Sequence, residues 1–256
     1  MNITQEESFG AARLTVQGGW ATLWLSRPDV GNAINIELVS SVQRALDAVE
    51  DRAAELPPVL VLRGAGRDFS RGIDLKDFPT DKAPDIHGFN RWERVVRQLE
   101  RLPLATVAAV EGACLGGGLQ LALAADLRVV AEGARLAFTE VGQGFLPGMS
   151  TWRIAKLVGL ARARSLVLTG RAIGAAEASA MGLADGLAPA GGLSEAVAAF
   201  VEGLGPVRQP AWSLARRLMI ESYEFSYEDA IGHFLAAQHR AITSETFTRL
   251  LDEEGR

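Results

Sequence analysis

Two short, uninterrupted apolar runs, "VLVLRG" (Val59 to Gly64) and "ATVAAV" (Ala105 to Val110), restrict the fold more than any other feature of this chain. Each fits a strand buried on both faces of a sheet. Between them Phe89, Trp92, Val95, Val96, Leu99 and Leu102 recur at helical spacing until Pro103 ends the pattern. Strand, helix and strand in succession predict a parallel βαβ unit. An earlier helical stripe, Leu38, Val39, Val42, Leu46, Val49 and Ala53, begins at Ile36 and stops before Pro57-Pro58. Ahead of it, "RLTVQGGWATLWLS" reads as two antiparallel strands turning at Gly18-Gly19. "LRVVAEG" and "RLAFTE" are again strand-like, and a mostly helical remainder follows, with Val197, Phe200, Val201 and Leu204 on one face. The pattern predicts an α/β fold, with a sheet-containing core over 1–190 and a helical extension over 191–256.

Both buried strands end in glycine-bearing loops, "RGAGRDFSRGIDL" and "EGACLGGGLQ". In open parallel sheets ligands gather at the carboxyl ends of strands, so the two loops can converge on one site. Each glycine inside a helix costs ~1 kcal/mol relative to alanine, which makes Gly116, Gly117 and Gly118 a poor helix start on stability grounds alone. Glycines do let a ligand approach the backbone, and the first N–H groups of a helix have no internal partner. That combination can build an oxyanion hole. The competing reading is that the glycines let a helix pack closely on a strand. The dinucleotide pattern G-x-G-x-x-G fails at Leu121, and a P-loop fails for want of Lys-Ser/Thr. "GACLG" fits a nucleophile elbow with Cys114 as nucleophile and His233 or His239 as base. Against it, a free cysteine commonly serves as a small buried hydrophobe.

A net charge of −5 leaves no electrostatic footprint for nucleic acid. An anionic ligand therefore needs a local cluster, which Arg63, Arg67, Arg71 and Lys76 supply; interleaved Asp68, Asp74 and Asp77 also allow an ordinary solvated loop. One cysteine excludes an intrachain disulfide and a cysteine-based zinc cluster, and His87, His233 and His239 lack metal-ligand spacing. No metal site is expected. The amino terminus has no signal-peptide pattern and no apolar segment approaches ~20 residues, so no membrane partner and a cytoplasmic address are expected.

The runs "RPDVGNAINIELVSSVQRAL", "GAGRDFSRGIDLKDF", "AAVEGACLGGGLQLALAADLRVVAEGARLAFTEVGQGFLPG" and "LVLTGRAIGAAEASAMGLADGLAP" occur in the order that marks the crotonase superfamily, the enoyl-CoA hydratase/isomerase family. The chain resembles it over about residues 12–190. The resemblance implies a spiral of ββα turns with a helical trimerisation region, assembled as a homotrimer or dimer of trimers, and an acyl-CoA thioester as substrate with no resident cofactor. It implies that an enolate-like intermediate is held by the N–H groups of Ile73 and Gly117, with coenzyme A near Arg27, Arg71, Lys76, Gly72 and Gly116. Arg71 replaces a commonly small residue, "PGMST" replaces the usual "PGxGGT", and the tail "TSETFTRLLDEEGR" departs from the family's ending.

Family hydratases use two glutamates; here the first position is Gln120 and the second is Glu140. A carboxylate can accept a proton and return it, whereas a neutral amide only donates and accepts hydrogen bonds. Phe138, Val141, Phe145, Leu146 and Trp152 surround Glu140 in sequence, and an apolar pocket there would raise its pKa. One carboxylate suffices to move a proton from C2 to C4 of a 3-enoyl thioester, and relatives that shift this double bond likewise keep a single glutamate. Isomerisation is the leading expectation. Hydration with Gln120 orienting water, or acyl-CoA binding without catalysis, are the alternatives. Dienoyl-CoA isomerisation is disfavoured because the acids it uses at positions 120 and 148 are Gln120 and Gly148 here.

Overall fold

The computed structural model describes residues 5–77 and 86–254. The first four residues, Phe78 of the second motif and the last two residues of the tail lie outside them. β1 (Gln5–Ser8) pairs antiparallel with β2 (Ala12–Gln17), which turns at Gly18-Gly19 into β3 (Trp20–Leu25). Helix α1 (Ile36–Asp51) follows, its first turn capped by Asn35, whose side chain accepts the Leu38 N–H at 2.9 Å. β4 (Val59–Gly64) lies parallel to β3; α2 (Ile86–Leu99) then returns the chain to β5 (Ala105–Val110), parallel to β4. β6 (Ala113–Leu115), α3 (Gly117–Ala124) and β7 (Leu127–Ala131) follow, β7 adding to β5. β8 (Arg135–Ala137) pairs with β6 as a separate small sheet. Helices α4 (Ser150–Val158), α5 (Leu160–Thr169) and α6 (Ala175–Ala180) lead to β9 (Gly186–Ala188), which pairs with β7. Four helices complete the described chain: α7 (Leu193–Gly203), α8 (Ala211–Glu221), α9 (Tyr227–Ile242) and α10 (Glu245–Glu254).

Among the described residues the main sheet runs β1-β2-β3-β4-β5-β7-β9, antiparallel at its first two pairings and parallel thereafter. Side-chain alternation along the strands explains why both faces are covered. In β4, Leu60 and Leu62 join a core with Leu38, Val42, Leu46, Val95, Val96 and Leu99 of α1 and α2. Val59 and Val61 point the other way, into a second core with Val107, Val129, Leu193 and Val197. Core packing thus continues past residue 190, because α7 closes the second face.

The antiparallel opening and the parallel strand-helix alternation match the sequence expectation. β1, β6 and β9 were not anticipated, and β9 falls in a stretch read as mostly helical. Three or four residues carry too little periodicity to register, and these strands form because longer neighbours offer them an edge. Helix α8 is fastened to the sheet by Arg216, which is buried, ion-paired to Asp126 at 2.7 Å and donating to the carbonyl of Leu102 at 2.8 Å.

Candidate active site

The loops that follow β4 and β5 run side by side. Ser70 N–H donates to the Ala113 carbonyl and Leu115 N–H to the Ser70 carbonyl, each at 2.9 Å. From the other flank, Ile34 N–H donates to the Gly72 carbonyl at 2.8 Å, and its own carbonyl accepts from Asp74 N–H at 2.9 Å. Ile34 therefore grips the residues on either side of Ile73, and in such a parallel bridge the N–H of Ile73 faces away from it. Gly117 is the first residue of α3, where N–H groups have no partner inside the helix. Among the described residues neither the Ile73 nor the Gly117 N–H donates to a backbone carbonyl. A Cβ on Gly72 would stand 2.9 Å from the Leu115 carbonyl and 3.6 Å from Gly116 Cα, which shows how closely the two segments approach.

Each of the three consecutive glycines answers a different demand. A side chain on Gly118 would press 2.6 Å from Ser70 Cβ and 2.9 Å from its carbonyl, so this glycine serves close packing. Gly116, at φ +50°, occupies a backbone region closed to side chains, and a Cβ there would run into the Glu140 carboxyl. Gly117 lies against Ile34 and Trp92: a Cβ would meet Ile34 Cδ1 at 2.9 Å and Trp92 Nε1 at 3.7 Å.

Glu140 is 3 % exposed. Its carbonyl accepts from Gln143 N–H at 2.9 Å and Phe145 N–H at 3.0 Å, which fixes the turn that carries it. Burial pushes its carboxyl pKa above the ordinary value, against hydrogen bonds from its own and the Thr139 backbone that pull it down. Among the described residues its Oε2 has no hydrogen-bond partner. A buried carboxyl with one unbonded oxygen and a raised pKa has the chemistry of a proton acceptor and donor. Leu146 and Trp152, expected to help wall the pocket, are instead exposed, while Phe138 is fully buried.

Gln120, one turn along α3, is 2 % exposed and held at both ends of its amide. Its Oε1 accepts from Trp92 Nε1 at 2.9 Å, and its Nε2 donates to Glu93 Oε1 at 2.5 Å. Glu93 Oε1 also accepts the Met149 N–H at 2.9 Å, while its Oε2 faces Arg153 Nη1 at 3.5 Å. Sequence reasoning missed Glu93 altogether and placed Trp92 only in the core stripe. Nothing in the local pattern of α2 marks either residue, since their partner lies 28 and 27 positions away.

The expected basic cluster separates into distinct roles. Arg27 ties the loop together, bonding the Ala33 carbonyl and pairing with Asp74 at 3.2 Å. Arg71 Nε pairs with buried Asp68 at 2.8 Å while more than half of its side chain stays in solvent, and Lys76 is exposed nearby. Arg67 is also exposed. Arg63 points elsewhere, to Ser194 at 2.8 Å and Glu111 at 3.8 Å, because strand alternation turns it toward α7.

The nucleophile-elbow alternative is overturned. Cys114 is fully buried within the β6–β8 pairing, and burial drives its thiol pKa far above the ordinary range, opposite to what a nucleophile needs. His233 belongs to an exposed surface cluster with Glu221, at 3.5 Å, and Phe225. Among the described residues no helix is long and apolar enough to cross a membrane.

A protein-family model described as enoyl-CoA hydratase/isomerase matches residues 15–244. An enoyl-CoA isomerase/hydratase of Mycosarcoma maydis is 38% identical over 176 residues, 65% of this chain and 64% of that protein, so the match spans just under two thirds of the relative's length. The crystal structure of an enoyl-CoA hydratase from Bacillus anthracis superposes with a TM-score of 0.84 at 26% identity, covering 99% of this chain and 96% of that one. A Thermobifida fusca structure solved in complex with acetoacetyl-CoA superposes with a TM-score of 0.79 at 28% identity, covering 91% and 94%.

Proposed function

Because the chain belongs to the enoyl-CoA hydratase/isomerase family, we propose that it binds an acyl-CoA thioester and moves the double bond of a 3-enoyl group to the 2-position, with Glu140 as the single proton shuttle. The thioester oxygen sits between the N–H groups of Ile73 and Gly117, which receive the negative charge as the enolate forms. Glu140 removes a proton from C2, the electrons delocalise onto that oxygen and along the diene, and the same carboxyl returns the proton at C4. Atoms balance without water or a redox partner. Arg71 and Lys76, both exposed, are assigned to the anionic end of coenzyme A.

The observation that carries this reading is the contrast between two buried groups. Glu140 keeps an unbonded carboxyl oxygen beside Gly116, while the Gln120 amide is engaged by Trp92 and Glu93 and has no proton to exchange. Hydration is the second reading. It is favoured by the remaining hydrogen of Gln120 Nε2, which has no acceptor among the described residues and could hold a water for Glu140 to activate.

Incubating the protein with 3-enoyl-CoA and 2-enoyl-CoA panels and following products by mass and retention tests both. Isomerisation converts 3-enoyl to 2-enoyl thioesters without a change in mass, and Glu140→Gln lowers that rate by about 10²- to 10⁴-fold. A gain of one water on 2-enoyl substrates makes hydration the reaction. Tight acyl-CoA binding with no product from any substrate refutes catalysis. The exposed apolar side chains of α8, α9 and the turn between them, including Met219, Tyr223, Phe234 and Leu235, supply the contact face for a homotrimer or dimer of trimers, to be read by sedimentation.

A further inference from the structure

We propose that Glu93 fixes the polarity of the Gln120 amide and excludes an ionised carboxylate from position 120, so that α2, outside both glycine loops, commits the site to one proton-transferring acid. The consequence for catalysis rests on the reading of Glu140 as the shuttle.

Polarity follows from what each partner can do. An indole N–H only donates, and an ionised carboxylate only accepts. Trp92 therefore requires the Gln120 carbonyl on its side and Glu93 requires the amide hydrogens on the other, at 2.9 and 2.5 Å. Turning the amide over would set N–H against N–H and oxygen against carboxylate. Glu93 is itself restrained: the Met149 N–H at the start of α4 holds its Oε1, Arg153 of α4 stands 3.5 Å from its Oε2, and Arg153 is pinned in turn by Glu100, just past the end of α2, at 2.5 Å. Gly148 completes the enclosure, since a Cβ there would stand 3.2 Å from both Gln120 side-chain polar atoms and collide with Glu93.

A glutamate at position 120 could still accept from Trp92, but its other oxygen would confront Glu93 at the separation of a hydrogen bond. Two carboxylates that close cannot both ionise, so one proton stays trapped between them. Adding water across C2=C3 takes a proton from water and delivers one to C2, and it gains from a second carboxyl that is free to exchange. Glu93 removes that option at position 120. Replacing Glu93 by glutamine inverts the pair, because the new amide can donate its NH₂ to a carboxylate at 120 while its oxygen faces Arg153; the Met149 N–H, which shares Glu93 Oε1 with Gln120 in the parent, then loses its acceptor.

The test compares full-length Gln120→Glu with the double variant Gln120→Glu/Glu93→Gln, by thermal melting from about pH 5 to about pH 8 and by hydration of 2-enoyl-CoA. The carboxyl pair of the single variant titrates above its unfolded value, so its stability is intact in acid and lost as pH rises through the folded value. Its melting deficit against the parent should widen toward the alkaline end by several degrees. The double variant should melt parallel to the parent across this pH range and hydrate at least about tenfold faster than the single variant. A single variant that melts parallel to the parent at every pH, or equal hydration by the two variants, overturns the proposal. Parent isomerisation and its loss in Glu140→Gln are measured alongside. If the parent turns nothing over, the Glu140 reading fails while the melting comparison still decides the role of Glu93.

Discussion

Replacing Gly116 with alanine probes how tightly the fold couples a glycine to the buried Glu140 carboxyl. The backbone there has φ +50° and ψ −121°, a conformation that costs a residue with a side chain about 1–3 kcal/mol. The added Cβ would lie 2.9 Å from Glu140 Cδ and 3.3 Å from Oε2, whereas carbon atoms rest about 3.5–4.0 Å apart. Glu140, 3 % exposed, must therefore yield by roughly 0.5–1 Å. A displacement of that size at a reacting group lowers turnover by about 10²-fold, equivalent to ~2.7 kcal/mol in the barrier. Gly133→Ala is the control: Gly133 also has positive φ, +83°, but a Cβ there meets nothing within 4 Å. Both variants should lose about 1–3 kcal/mol of stability by urea unfolding, and only Gly116→Ala should lose turnover. Equal kcat in the two variants would refute the steric coupling between Gly116 and Glu140.

Glu140→Gln should lose activity and yet stabilise the protein at neutral and alkaline pH. Burial raises the Glu140 pKa, so the parent gives up stability as pH rises through the folded value and the amide does not; melting scans across pH read the difference. The acid limb of kcat/KM should lie above the ordinary glutamate value of about 4.3 and disappear together with activity in this variant. Arg216→Ala should cost about 3–5 kcal/mol by leaving Asp126 unpaired against the sheet, measured as a shift in the urea midpoint. Cys114→Ala should keep full turnover, and the native thiol should resist alkylation until the chain unfolds.

Gln120 and Glu140 stood out in the sequence because of their chemistry at motif positions, and the two buried strands because an uninterrupted apolar run has few other uses. Helix periods, strand alternation and glycine loops are local regularities, and local regularities survive in a one-dimensional string. The distinct roles of Gly116, Gly117 and Gly118 do not: each depends on what approaches from a distant segment, Glu140, Ile34 with Trp92, or Ser70. The burial of Cys114, the turning of Arg63 toward Ser194 and the edge position of β9 were likewise invisible until long strands had paired. Most consequential is the clamp on Gln120. Its partners come from α2 and are restrained in turn by the start of α4, on no shared period, so hydrogen-bond polarity at the centre of the site emerges only when three helices meet.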